Sequence, residues 1–129
     1  MVLNTSQIIQ LTETLHRMES LTGDAGYAVA RSLKALDPEY EIAQSCRISI
    51  FKKYGTEQED GSYVIRNDSD KKEDFIREMD ELMAREVDVN LHQVLADKYN
   101  PDEIYCLSAQ AIDYRVFEEL MVESPEVTS

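Results

Sequence analysis

Apolar residues return every three or four positions through most of this chain, and the breaks in that rhythm divide it into elements. Ile8, Leu11, Leu15 and Met18 recur at the spacing of one helical face, with Thr5 or Ser6 ahead of them as the N-cap. Leu21-Thr22-Gly23 ends this first predicted helix. A second helix starts near Asp24 and presents Ala25, Val29, Leu33 and Leu36 on one side. Asp37-Pro38-Glu39 then reads as N-cap, first-position proline and first-turn acid of a third helix, or as a kink in one long helix. Gly55 is placed to stop it.

Beyond Gly55 the period changes. Asp60-Gly61 is a turn signal, and Tyr63-Val64-Ile65 behind it has strand-forming composition. Asp68-Ser69-Asp70 caps a helix over residues 70–85, with Phe75, Ile76, Met79, Leu82 and Met83 within one arc of about 120°. Asp70, Glu73, Asp74, Glu78, Asp80 and Glu81 occupy the opposite arc, and Glu73–Arg77 and Glu81–Arg85 are spaced as i,i+4 ion pairs. Val87, Val89 and Leu91 alternate with polar residues as a half-buried strand does, and this strand is expected to pair with Tyr63–Ile65. A loop over residues 96–103 precedes a last helix, capped by Ser108 and showing Ile112, Val116, Phe117 and Leu120 on one face. The pattern predicts a mainly helical α+β fold of about five helices with a small two-stranded antiparallel β element. It forms one domain over residues 1–122, with 123–129 as a frayed tail.

Composition changes this picture mainly through charge. The 129 residues are 43% hydrophobic, enough for one core despite a net charge of −13. Residues 1–55 hold six acids and six bases, whereas residues 56–129 hold twenty acids and seven bases, so the whole imbalance lies in the second part. Such a field repels nucleic acid and anionic membranes and attracts basic surfaces. The partner expected is therefore a basic protein surface, facing Asp70, Asp74, Glu78 and Glu81. No apolar run approaches the ~20 residues that span a bilayer. Cys46 and Cys106, sixty residues apart in a chain with no basic region ahead of its first apolar positions, read as reduced thiols of a cytoplasmic protein.

Catalytic and metal signatures fail on inspection. No glycine-rich loop follows a strand, and His16 and His92 have no partners at ligand spacing. Aligning Gly61 with the glycine of a calcium loop leaves only Asp60 and Ser62 as ligands, so no metal and no cofactor are expected. One cation stands out. Arg47 lies within the arc of Tyr40, Ala43, Ile50, Phe51 and Tyr54, where it must either snorkel or find a carboxylate. It predicts a core-edge ion pair to an acid of the 70–85 helix or to Glu86. The competing reading is an anion or nucleotide pocket of Arg47, Tyr40 and Tyr54.

Several short motifs carry a resemblance. They are Ala28-Val29-Ala30-Arg31-Ser32-Leu33-Lys34-Ala35-Leu36, Arg47 leading to Lys53-Tyr54-Gly55, the Asp60-Gly61 turn, Phe75 and Glu78, Glu86-Val87-Asp88-Val89, and Leu107-Ser108. Over about residues 8 to 121 the chain resembles a family of small uncharacterised proteins encoded by tailed phages and prophages, mainly of Gram-positive bacteria. The resemblance implies a phage origin and action inside an infected bacterium, and it supplies no catalytic residue. The expectation is a non-enzymatic binding protein whose acidic part engages a basic surface of a host or phage protein. Inhibition of a nucleic-acid-handling or defence protein is its most concrete form. A virion or tail-assembly accessory, which leaves room for a homo-oligomer, and a small anionic-ligand sponge or enzyme centred on Arg47 are the alternatives.

Overall fold

The computed structural model describes residues 1–123, so the call of a frayed tail falls, except for Glu123, outside the described residues. In chain order the elements are β1 (Val2–Asn4), α1 (Thr5–Arg17), α2 (Gly23–Tyr54), β2 (Thr56–Glu57), β3 (Tyr63–Val64), α3 (Lys72–Ala84), β4 (Glu86–Asp88) and α4 (Ala111–Met121). Two single 3₁₀ turns, Ala96–Lys98 and Pro101–Glu103, occupy the segment before α4. The fold is mainly helical α+β.

Four helices stand where about five were expected, because Pro38 lies inside α2 instead of starting a new helix. A proline there removes one backbone hydrogen bond. Continuing the helix, however, keeps Leu33, Leu36 and Ala43 on one buried face. Asp37 does not act as a cap. Its carboxylate meets His16 Nε2 at 2.7 Å, while Glu19 meets Nδ1 at 2.6 Å.

The strands also pair differently from the expectation. β3 does not join β4. It closes a hairpin with β2 across the turn at Gly61, where φ is +85° and the backbone favours glycine. β4 pairs antiparallel with β1, matching Leu3 with Val87. The three-residue β1 directly against α1 and the two-residue β2 are too short to show a period of two, so neither true partner was visible as pattern. The N-cap of α1 is Asn4, in place of Thr5 or Ser6. Its side chain accepts from the Gln7 N–H at 2.8 Å while Gln7 Oε1 accepts from the Asn4 N–H at 2.9 Å, a reciprocal capping box.

One core gathers Leu3, the face of α1 (Ile8, Leu11, Leu15, Met18), the first half of α2 (Ala28, Val29, Leu33, Leu36) and Val116, Phe117 and Met121 of α4. Close approach of the α1–α2 corner requires Gly26, because any side chain there would collide with the Leu21 carbonyl. At the other end of the core, Val94 donates its N–H to the Met121 carbonyl and accepts from the Glu123 N–H, both at 2.7 Å. α4 is rotated from its expected face, leaving Ile112 42% exposed, and Asp113 points inward with no exposed surface. It begins at Ala111, and Ser108 does not cap it. The Ser108 hydroxyl donates instead to the Arg17 carbonyl at 2.8 Å.

Asp113 is the buried charge of the fold. Arg17 donates from Nε at 2.8 Å to one carboxylate oxygen and from Nη2 at 2.7 Å to the other. The Thr14 hydroxyl at 2.9 Å and the Gln110 N–H at 2.9 Å complete the set. Every side of the carboxylate is satisfied, which is what permits its burial. The Arg17 guanidinium, helped by these hydrogen bonds, holds the Asp113 carboxyl down from 3.8 to about 2. Because the folded value is depressed, its contribution to stability is present above 3.8 and is lost as pH falls towards about 2. That contribution is about 2 kcal/mol. Denaturant titrations should therefore show Asp113→Asn less stable than the parent by about 3 kcal/mol at neutral pH, with the gap closing by pH ~2. The His16 imidazole is raised above 6.5, first by its hydrogen bond to Asp37. The sign is opposite here. His16 stabilises fully below 6.5, and the effect fades as pH rises through the folded value. A His16→Gln variant should fall behind the parent in thermal melts at pH ~5.5 and match it at pH ~9; an equal gap at both would refute the clasp.

Candidate functional site, an acidic arm

From residue 44 to residue 88 no side chain is fully buried. Up to residue 84 this stretch is the second half of α2, the β2–β3 hairpin and α3, an arm on which Phe51 and Phe75 pack at a centroid distance of 5.2 Å and Tyr54 and Phe75 at 6.3 Å. The apolar arc predicted for the helix of residues 70–85 therefore covers α2 only partially. Ile76, expected in the core, is 44% exposed. The helix itself starts at Lys72 with no side-chain cap, so Asp70 sits in the preceding turn.

The four acids expected to meet a partner are not equivalent. Asp70 and Glu81 are exposed and make no ion pair among the described residues. Asp74 meets Arg77 at 3.1 Å, replacing the expected Glu73–Arg77 pair. The expected Glu81–Arg85 pair is also absent among the described residues, although both side chains line one cleft between α2 and α3. Glu78 belongs to the arm's own structure. Its carboxylate meets Lys53 Nζ at 3.1 Å, and the Tyr54 hydroxyl and the Lys53 ammonium hold it below its ordinary value. Lys53 also sits 5.0 Å from the centroid of the Tyr54 ring. Between α2 and α3 lies an open cleft of about 400 Å³ with Cys46, Ile50 and Leu82 as its apolar wall and Glu78, Glu81 and Arg85 as its charged groups.

Tyr40, Arg47 and Tyr54 do not converge. Spaced seven apart on α2, each is about 10 Å from the next along its axis, so that Tyr40 and Tyr54 are about 21 Å apart, and none of the three lines any of the main cavities among the described residues. Nor does Arg47 form the expected core-edge ion pair. Its Nη1 donates to Gln44 Oε1 at 3.2 Å, and among the described residues no carboxylate pairs with it; partial exposure lets the guanidinium do without one. Asp60 is used locally, its Oδ1 accepting from the Ser62 N–H at 3.0 Å and the Ser62 hydroxyl at 2.6 Å, which shapes the hairpin turn. Cys106 is buried beside the Ser20 hydroxyl, with the Tyr114 hydroxyl bonded to its backbone on both sides. Among the described residues no helix is long and apolar enough to cross a membrane.

The ionic residue that matters to the fold, Arg17, was missed because it sits at the edge of the α1 stripe and its partner lies 96 residues away. The available signal was the lone acid on the apolar side of α4. Arg47→Ala should accordingly cost less than about 1 kcal/mol in a denaturant titration, where a buried pair would lose about 3–5 kcal/mol. A loss in the higher range would restore an ionic role for Arg47. Compared with family models, with curated proteins and with solved structures, the chain matches none.

Proposed function

We propose that this chain is a non-enzymatic binding protein whose acidic arm docks on a basic surface of another protein. The observation that carries the reading is an acid-bearing surface on a part of the chain with no sealed interior. Over the arm, residues 44–84, ten acids stand against seven bases, and none of those residues is fully buried. Acids that contributed to a core would be paired and enclosed, as Asp113 is. Here Asp70 and Glu81 face solvent, and the same arm leaves Ile48, Val64 and Ile76 each between 44% and 53% exposed. Apolar patches rimmed by charge are the make-up of a protein interface, the charge setting approach and the apolar atoms setting residence. The resemblance to phage-encoded proteins gives the setting, the cytoplasm of an infected bacterium. A nucleic-acid-handling or defence protein with a basic groove is the partner that an acidic arm fits best. An assembly role in the virion would place the weight on the apolar atoms instead.

Reversing Asp70, Asp74 and Glu81 to lysine tests this, with Glu78 left alone because it holds Lys53. The variant should melt like the parent. Against a partner captured from infected cells, it should associate at least tenfold more slowly, and parent association should slow steeply between about 50 and 500 mM salt. Binding that ignores both salt and the reversals would assign the interface to the apolar residues and refute docking through charge.

A further inference from the structure

We propose that the cavity between the first half of α2 and the segment following β4 is a binding site for a phosphoryl oxyanion. Its wall on α2 is Arg31, Lys34 and Ala35, and its opposite wall is Asn90, Leu91 and His92. No carboxylate lines it, in a chain whose net charge is −13. Arg31 and Lys34 make no ion pair among the described residues. Their two positive charges match the two negative charges of a phosphate monoester.

The walls are fixed before any ligand arrives. Ser32, fully buried, donates from its hydroxyl to the His92 carbonyl at 3.1 Å and accepts from the His92 N–H at 2.9 Å, so the 90–92 backbone is pinned to α2 beside the cavity. The His92 ring stands edge-on to Tyr27 at 4.9 Å, and the Arg31 guanidinium lies 5.8 Å from the same tyrosine ring. Stacking of this kind orients a guanidinium whose flat fork then pairs two oxygens of one phosphoryl group. Lys34 adds a point charge, and the Asn90 amide and the His92 ring add further hydrogen-bonding groups. The volume, about 250 Å³, exceeds one phosphate group and falls below the usual range for large ligands, which points to a small phosphorylated metabolite. This site lies outside residues 44–88 and shares no residue with the arm.

Calorimetry and thermal melts with inorganic phosphate, a sugar phosphate, a nucleoside monophosphate and the matching unphosphorylated sugar and nucleoside test the proposal. A saturable response to phosphorylated probes, absent with their unphosphorylated counterparts, is expected. A stronger response to an ester than to inorganic phosphate assigns a phosphorylated metabolite, and an equal response assigns free phosphate. Arg31→Gln with Lys34→Gln should leave the ligand-free melt unchanged, both side chains being exposed, and weaken binding by more than about tenfold. No binding at about 10 mM of every phosphorylated probe, or binding that the double variant retains, overturns it.

Discussion

A carboxylate sealed inside a small protein has to be paired and hydrogen-bonded on all sides, and Asp113 imposes that demand on this chain. Satisfying it recruits Arg17 and Thr14 from α1 and the Gln110 backbone from the start of α4. The same contacts that neutralise the acid therefore fix the first helix to the last. With α1 and α4 joined, Leu11, Leu15, Phe117 and Met121 share one interior, each with at most 0% exposure. The first half of α2 closes that interior, and the β1–β4 pair covers its edge. Packing there is dense, and a change at the ion pair reaches the whole core.

The long helix α2 joins this core to a part of the molecule built on other terms. Its first half is buried against α1, and its second half packs on α3 and the hairpin, with α3 in turn touching α1 and the Thr5 hydroxyl donating to the Arg85 carbonyl at 3.0 Å. Two aromatic contacts and the Lys53–Glu78 pair replace a sealed interior. Surface ion pairs contribute little, and partly covered aromatics give up some of their burial. The arm is thus the less stable part of the chain, and the part on which acids and exposed apolar residues are combined. An element that must present its surface to a partner is drawn from the low-stability end of a structure.

Much of the core was legible in the sequence because it obeys the helical period. Ile8, Leu11, Leu15 and Met18 declare one face, and all four are buried as read. Pro38 was a weaker guide, since the residues around it allowed either a new helix or a kink, and the helix runs on through it with Leu36 and Ala43 buried on either side. The three residues of β1 carried no period to read, which is why β4 was assigned the wrong partner. Long-range chemistry was the least visible. Nothing local marks Arg17 as the partner of Asp113, whereas Arg47 attracts notice by standing among aromatics and turns out to hydrogen-bond a neighbour on its own helix. The acidic character of the arm could be counted directly. Which of its acids were already engaged, Asp74 with Arg77 and Glu78 with Lys53, required the packing of α3 on α2.

The division into a tightly packed core and a loosely held acidic arm is tested most directly by native-state amide hydrogen exchange on the free chain. Amides of α1, α4 and the first half of α2 should exchange only through global unfolding, and those of α3 and the β2–β3 hairpin through local opening at a clearly lower free energy. If α3 were protected to the same level as α1, the arm would be part of the core. The open packing of the arm, on which the binding role rests, would then be contradicted.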